Sequence, residues 1–258
     1  MNTTIIFFLI LLIVFIYLIW RKKPVKPQHS NIDAQACSQW LYKHVRFYNR
    51  LSDQQQDNFT KQVIQFINSK KFTGIESEVD DSTKFAVAAS AVIPVFHIGD
   101  FNYPNLKEVL IYPNSFGPKF DLVPDEHSEF IASGMVGTGM MSGIMILSKP
   151  DLMKAYDGLN HKHNVGIHEF VHLIDKTDGH IDGVASLLLK PHELESWMHW
   201  MNKEKHRIRH GKSDINPYAL KNDAEFFAVT SEYFFMDTDT FKVKHSELHQ
   251  ILSDIFLN

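Results

Sequence analysis

The stretch GIHEFVHLID, residues 166–175, constrains the fold more than any other part of the chain. Apolar residues fill most of its positions, which predicts a helix buried on several sides. His168 and His172 are four residues apart and share one helix face, with Glu169 turned about 100° away. Two buried imidazoles and a carboxylate are costly to desolvate without a partner. This cost favours a bound metal ion over a core helix that carries two histidines by chance.

The two histidines have the spacing of zinc ligands. Imidazoles four residues apart on a helix can bind one Zn²⁺ at roughly 2.0–2.1 Å each. Glu169 then borders the open face of the metal, where a general base must lie to take a proton from water. Asp175 either accepts a hydrogen bond from a ligand imidazole or lies in solvent at the end of the helix. The stretch therefore predicts a catalytic zinc site.

A catalytic zinc site needs a third protein ligand beside an open position. Asp178 has the ten-residue spacing from the first histidine that some zincins use, but Asp175 stands where their sharp turn has glycine. The other candidates lie in NPYALKNDAEFFAVTSEYFF, residues 216–235, where Glu225 and Glu232 are seven apart and so nearly on one helix face. A carboxylate among aromatic side chains needs a partner. A surface position on an amphipathic helix is the alternative, and it suits Glu232 better than Glu225.

The rest of the chain predicts an α+β domain, mostly helical with a small sheet. The formal net charge of −4 and the lack of a basic stripe give no argument for direct contact with nucleic acid. Apolar runs between turn residues predict strands at 109–113 and 143–148, the second a candidate edge for pairing with a substrate peptide. Helical spacing and capping residues predict helices at 33–50, from Ser52 to 67, 82–93, from Pro150, 161–175, 191–207, 222–235 and 246–256.

The N-terminal end differs in composition from the rest. Residues 3–20 carry no charge, and as a helix they would span roughly 27 Å, close to the hydrocarbon thickness of a bilayer. Three basic residues follow at 21–23, which favours the cytoplasmic side for what comes next. A cleaved signal peptide is the alternative, although it would need basic residues before the apolar run. We expect a membrane anchor at 1–23, a linker at 24–31 and a domain at 32–258 on the cytoplasmic face of a bacterial inner membrane.

Two segments together resemble a known family. HEFVHLIDKTDGHIDG at 168–183, combined with YALKNDAEFFAVTSEYFF at 218–235, is similar to the Mlc titration factor A family of zinc peptidases. RLSDQQQDNFTKQVIQFI at 50–67 and KEVLIYPNSF at 107–116 resemble the same family, so the resemblance covers most of residues 33–236. It implies a zincin-type metallopeptidase domain, similar in its catalytic core to anthrax lethal factor.

The resemblance also implies a set of site residues and one Zn²⁺ per chain. His168 and His172 match the histidine ligands of the family, Glu169 its general base and Glu225 its third ligand. Tyr218 matches a tyrosine seven residues before that ligand, placed to donate a hydrogen bond to the oxyanion. A turn residue that only packs is the other interpretation of Tyr218. The activity implied is aminopeptidase-like hydrolysis of a peptide or protein substrate.

A regulatory binding protein is the alternative function. The namesake of the family binds a glucose-responsive transcriptional repressor, so the resemblance also implies a transcriptional-regulator partner, with the zinc only structural. Glu169 and Tyr218 favour the enzyme, because a structural zinc site needs neither a general base nor an oxyanion donor. Both endopeptidase and exopeptidase action are compatible with these residues.

Overall fold

A small mixed sheet packs against a group of helices, which confirms the α+β class predicted from the sequence. The structure is a computed structural model that describes residues 32–99, 101–117, 132–137, 141–158, 162–184, 189 and 191–257. Its helices are α1 (Ala34–His44), α2 (Arg46–Asn49), α3 (Asp53–Ser69), α4 (Asp81–Val92), α5 (Lys149–Lys154), α6 (Val165–Asp175), α7 (Pro191–Arg209), α8 (Asp223–Met236), α9 (Thr238–Lys244) and α10 (Ser246–Phe256).

The sheet has four strands in the order β1-β2-β4-β3. Their bounds are β1 (Lys71–Gly74), β2 (Glu108–Tyr112), β3 (Gly134–Val136) and β4 (Ile144–Ser148). The first three in that order run parallel, and β3 pairs antiparallel with β4. The predicted strands at 109–113 and 143–148 are confirmed as β2 and β4. The expectation that 143–148 offers the free edge is wrong, because β4 is central and β3 lies outside it.

Local signals set several helix ends. Pro94 stops α4, and Ile93–Val95 form a 3-10 turn in its place, because proline cannot donate the next helical hydrogen bond. The capping box predicted at the start of α3 is confirmed, and in it Ser52 N donates to the Gln55 side chain at 3.0 Å. Asn164 caps α6 by accepting from Ile167 N, so this helix begins at Val165 rather than at 161.

Helix α6 lies at the centre of the fold, in contact with α4, α8 and β3. Gly166 allows the close approach of α4, since an added Cβ would lie 2.4 Å from Ser90 Oγ. Aromatic side chains of α8 fill the other side, where Phe226 and Phe227 pack against the buried Trp197 of α7. The histidine-bearing helix is therefore held on three sides by packed neighbours, which fixes the direction of its polar face.

Within the described ranges, none of the helices combines the length and the apolar composition needed to cross a bilayer. The predicted localisation, a domain anchored in the membrane by one N-terminal helix, is contradicted by this finding, and we correct it. The segments on which the prediction depended, the anchor at 1–23 and the linker at 24–31, lie outside the described residues.

Candidate metal centre

Two histidines of α6 and one glutamate of α8 direct three ligand atoms at a common point. His168 Nε2 lies 3.1 Å from His172 Nε2, and Glu225 Oε2 lies 2.9 Å from the first nitrogen and 3.4 Å from the second. Ligand atoms on a tetrahedral zinc, with bonds of about 2.0–2.2 Å, are separated by about 3.3 Å. The donor set and its spacing therefore fit three corners of a zinc tetrahedron.

The segment that follows α6 sets the distance between the two halves of the centre. Asp175, the last residue of α6, accepts a hydrogen bond from Gly183 N at 2.8 Å, and Trp197 Nε1 donates to Gly183 O at 2.8 Å. Gly183 has φ +78°, and an added Cβ would lie 2.3 Å from the Asp223 backbone at the start of α8. Glu225 stands two residues further on. Gly183 therefore lies between the end of α6, which carries the histidines, and the start of α8, which carries Glu225, at a point with no room for a side chain.

Glu232 holds the opposite side of the first histidine. Its Oε1 lies 2.6 Å from His168 Nδ1, and its Oε2 accepts from Asn164 N at 2.9 Å. The interpretation of Glu232 as a surface residue is wrong, since it is only 5% exposed. Its seven-residue spacing from Glu225 puts both carboxylates on the helix face that meets His168. A proton on Nδ1 leaves Nε2 free for a metal.

The charges of the cluster reinforce one another. Burial alone would lower the pKa of His168, but hydrogen bonds to Glu225 and Glu232 raise it well above its ordinary value. Burial would likewise raise the pKa of Glu225, but His168, His172 and Lys221 hold it below its usual range. The same balance lowers the pKa of Glu232. Both carboxylates are therefore charged, and His168 carries a proton that a metal ion would replace.

Glu169 stands beside these ligands rather than among them. It is 6% exposed and lies against the edge strand, where a Cβ added to Gly134 would meet Glu169 Cγ and Oε1 at 2.7 Å. Burial is the largest influence on its pKa and raises it above that of a solvated glutamate. A buried carboxylate with a raised pKa beside a metal site suits a group that accepts and returns a proton.

Tyr218 and Lys221 lie at the open side of the centre. The tyrosine sits in the 3-10 turn Pro217–Leu220 and is 43% exposed. Its hydroxyl donates to Glu225 Oε1 at 3.2 Å, and Lys221 Nζ donates to that hydroxyl and to Glu225 Oε1 at 2.9 Å each. The hydroxyl therefore points into the site. Lys221 was not predicted from the sequence, although it stands four residues before Glu225, a spacing at which charged side chains commonly pair.

Asp175 and Asp178 are the two remaining residues that the sequence offered for the site. Asp175 is fully buried and bonded to Gly183 N, so the interpretation of it as a solvated residue is wrong. Asp178, the other candidate third ligand, ends the 3-10 turn Lys176–Asp178, and its side chain lies outside what the structure describes.

An α+β fold whose central helix presents two histidines to a glutamate of a second helix, with a further carboxylate alongside, is typical of metal-dependent peptidases. The chain belongs to the glucose-regulated metallo-peptidase M90 family, whose model matches residues 18–257. It is 28% identical over 215 residues to Mlc titration factor A of Cronobacter sakazakii and 27% identical over 215 residues to that of Escherichia coli. Each match covers 78% of this chain and 78% of the relative. These matches confirm the resemblance stated from the motifs.

A further relative comes from Synechocystis. It is named uncharacterized protein slr2042 and is 29% identical over 250 residues, which is 92% of this chain and 87% of the relative. Membership of a metallo-peptidase family implies a metal ion, and the His168, His172 and Glu225 cluster is where the described residues offer one a site.

Proposed function

We propose that this chain is a zinc-dependent peptidase of the HExxH type that uses a glutamate from a second helix as its third ligand. The observation that carries the proposal is Glu169, a buried carboxylate that borders the His168, His172 and Glu225 cluster without belonging to it. A structural zinc site has no use for such a group, whereas hydrolysis needs a base at that place.

Each residue has a defined task in this proposal. His168, His172 and Glu225 hold the ion. Bound Zn²⁺ supplies Lewis acidity, which polarises a carbonyl group and lowers the pKa of water. Glu169 takes a proton from the attacking water and returns it to the leaving amine. The Tyr218 hydroxyl donates to the carbonyl oxygen as negative charge develops there.

The substrate in this proposal is an extended peptide beside β3. That strand has one edge paired with β4, and its backbone at Gly134 contacts Glu169. Peptides commonly bind by adding a strand to a free sheet edge, through main-chain hydrogen bonds. The family resemblance supports aminopeptidase-like action on short peptides as one form of the reaction. A matched pair of free and N-acetylated peptides tests that form, because an aminopeptidase loses activity on the acetylated one.

The decisive experiment compares Glu169→Gln with the wild type. The variant should bind zinc as the wild type does and should lose hydrolysis by about 10²–10⁴-fold, the usual contribution of a general base. Zinc content is measured by metal analysis, and cleavage is measured on a peptide mixture. Glu247→Gln makes the same substitution on the exposed first turn of α10 and is the matched control, which should cleave as the wild type does. Equal cleavage by the wild type and Glu169→Gln would contradict the enzyme proposal.

A second experiment tests the third ligand. Glu225→Ala should abolish stoichiometric zinc binding, whereas Asp178→Ala should retain it. Glu225 is the expected ligand because its Oε2 lies within 3.4 Å of both histidine nitrogens. Retention of zinc by Glu225→Ala together with its loss in Asp178→Ala would reverse the assignment.

The name of the relatives supports a second candidate function. These relatives are named Mlc titration factor A, and the family resemblance implies a namesake that binds a transcriptional repressor, which favours binding of a transcriptional regulator by this chain as well. Glu169→Gln separates the two functions, because it removes the proton shuttle and leaves the surface unchanged. A regulator that binds the variant as it binds the wild type supports a binding role independent of hydrolysis.

A further inference from the structure

A cavity of about 310 Å³ opens at the C-terminal end of α6. Its walls are the end of β3, the end of α6 and the segment 101–106. Phe101, Val136 and Leu173 contribute apolar side chains that the fold leaves only partly buried. Small-ligand sites are concave, mostly apolar and about 300 Å³ or larger. The cavity therefore has the size and lining of a site for one large apolar group.

The cavity continues the face of α6 that carries the proposed base. Leu173 follows Glu169 by four residues on α6, so the two share one helix face, and Lys176 opens the 3-10 turn that continues from the end of the helix. The edge strand runs along the same face, because Gly134 contacts Glu169 and Val136 lines the cavity. The lining residues Leu173 and Lys176 are four and seven residues past Glu169, so at about 1.5 Å per residue the cavity extends from roughly 6 to 10 Å from Glu169. About two to three residues of extended peptide span that distance.

One wall of the cavity is fixed by the half-buried ammonium group of Lys70. Lys70 Nζ donates to the carbonyl oxygens of Asn102 and Tyr103 at 2.9 Å and of Leu106 at 3.0 Å. The Tyr103 hydroxyl is buried and donates to Ala91 O at 2.7 Å. Three hydrogen bonds from one ammonium hold this short segment in place. The wall is thus formed before any ligand arrives, which lowers the entropy cost of binding.

The geometry points to this cavity as the subsite for a large apolar side chain of the substrate, on the N-terminal side of the scissile bond. This inference rests on the peptidase function proposed above. A peptide that pairs with the edge of β3 gains most in the antiparallel direction, which is slightly more stable per residue. Because β3 runs from Glu169 towards the cavity, the N-terminal part of an antiparallel peptide lies at the cavity. Lys176 on the wall disfavours a basic side chain there.

Leucine, methionine and phenylalanine are the expected occupants, and alanine leaves the space unfilled. Thr177 lines the cavity, and its hydroxyl donates to Ile174 O at 2.6 Å. Thr177→Phe fills the space, whereas Thr177→Val removes only the hydroxyl and serves as its matched control. Val243→Phe adds the same ring at a position of α9 that is 85% exposed, remote from the cavity lining.

The measurement is a peptide library in which each position on the N-terminal side of the scissile bond is either phenylalanine or alanine. The wild type, Thr177→Val and Val243→Phe should favour phenylalanine at one position by about tenfold or more in kcat/KM, as expected for a filled apolar pocket. Thr177→Phe should lower that ratio to about one or invert it. An unchanged ratio in Thr177→Phe, with cleavage retained, overturns the subsite and leaves the peptidase function intact.

Binding separates failure of the subsite from failure of the peptidase function. In the Glu169→Gln background, calorimetry should give a lower Kd for the phenylalanine peptide than for the alanine peptide. Adding Thr177→Phe should remove that difference. If the wild type cleaves no peptide but this difference in Kd is present, the peptidase function is contradicted and the cavity is still a binding site for an apolar side chain. If the difference is absent from Glu169→Gln itself, the subsite is overturned whatever the cleavage result.

Discussion

Glu232 Oε1 lies 2.6 Å from His168 Nδ1, and both groups are buried between α6 and α8. This contact joins the two helices that carry the proposed metal ligands, and it sets which imidazole nitrogen would face an ion. A carboxylate in this position fixes the tautomer and the ring orientation and makes the ligand nitrogen more basic. Glu225 and Glu232 of α8 thus contact the two ring nitrogens of His168 on α6 from opposite sides.

Glu232→Gln should weaken zinc binding by about 10–100-fold, because an amide orients the imidazole without supplying the negative charge. Competition with a chelator of known affinity measures the change. Glu247→Gln, exposed on α10, is the matched control and should leave the affinity unchanged. A zinc Kd equal to the wild-type value in Glu232→Gln would show that the contact has no role in the metal centre.

Zinc affinity should depend steeply on pH. Hydrogen bonds to Glu225 and Glu232 outweigh burial and raise the pKa of His168, so the metal-free protein holds a proton there at neutral pH. Zinc must displace it, and below that raised pKa the affinity should fall by about tenfold for each unit of decreasing pH. Calorimetry in buffers of different ionisation enthalpy should detect about one proton released per zinc bound. An affinity that is constant between about pH 6 and pH 8 would contradict this.

The sequence was enough to predict both helices of the metal centre, because the four-residue spacing of His168 and His172 and the seven-residue spacing of Glu225 and Glu232 reflect the 3.6-residue period. The choice of Glu225 as third ligand came from the family resemblance. It did not reveal the burial of Glu232. A carboxylate seven residues along an amphipathic helix has the same pattern whether solvent or a second helix covers it. Only the packing of α6 against α8 distinguishes the two, and that packing depends on residues far apart in the chain.

Two of the four strands could be predicted from the sequence and two could not. β2 and β4 are buried runs rich in branched apolar residues, and the sequence predicts both. β1 and β3 have four and three residues with no alternation of burial, so only their partners in the sheet make them strands. The edge strand was therefore missed, and Gly134, which contacts Glu169, had no signal of its own.

Tyr218→Phe should lower kcat by about 10²–10³-fold and leave zinc binding intact, because it removes one donor to the developing oxyanion and no ligand. The contacts of the hydroxyl with Glu225 and Lys221 place it at the ligand cluster without contributing to it. Steady-state kinetics and metal analysis on the same preparation measure both quantities. Tyr42→Phe, 67% exposed on α1, is the control. A kcat within twofold of the wild type would assign Tyr218 to packing alone.

Asp151 should give the fold a defined acid sensitivity. Burial opposes its charge, but donors including Ser148, Ser115 and Lys154 outweigh that effect and lower its pKa to about 2. A depressed carboxyl pKa stabilises the fold above the unfolded value of about 4, and this stabilisation is lost as pH falls through about 2. Asp151→Asn should therefore lower the free energy of unfolding by roughly 2 kcal/mol at neutral pH.

Urea unfolding of the wild type and Asp151→Asn across this pH range measures the difference, which should shrink from about pH 4 to about pH 2. Asp57→Asn, exposed on α3, should follow the wild type throughout. A difference between wild type and Asp151→Asn that does not vary with pH would attribute the effect of the variant to packing rather than to charge.

Gly183 should prove essential for assembling the two halves of the metal centre. An added Cβ would lie 2.3 Å from the Asp223 backbone, so Gly183→Ala must push the start of α8, and Glu225 with it, away from the histidines. Gly179→Ala is the matched control, since Gly179 also has a positive φ, +101°, but nothing lies within 4 Å of its added Cβ. Both variants should lose about 1 kcal/mol of stability to backbone strain. Only Gly183→Ala should lose more than tenfold in zinc affinity as well, and equal affinities in the two variants would show that the spacing of the helices does not depend on this contact.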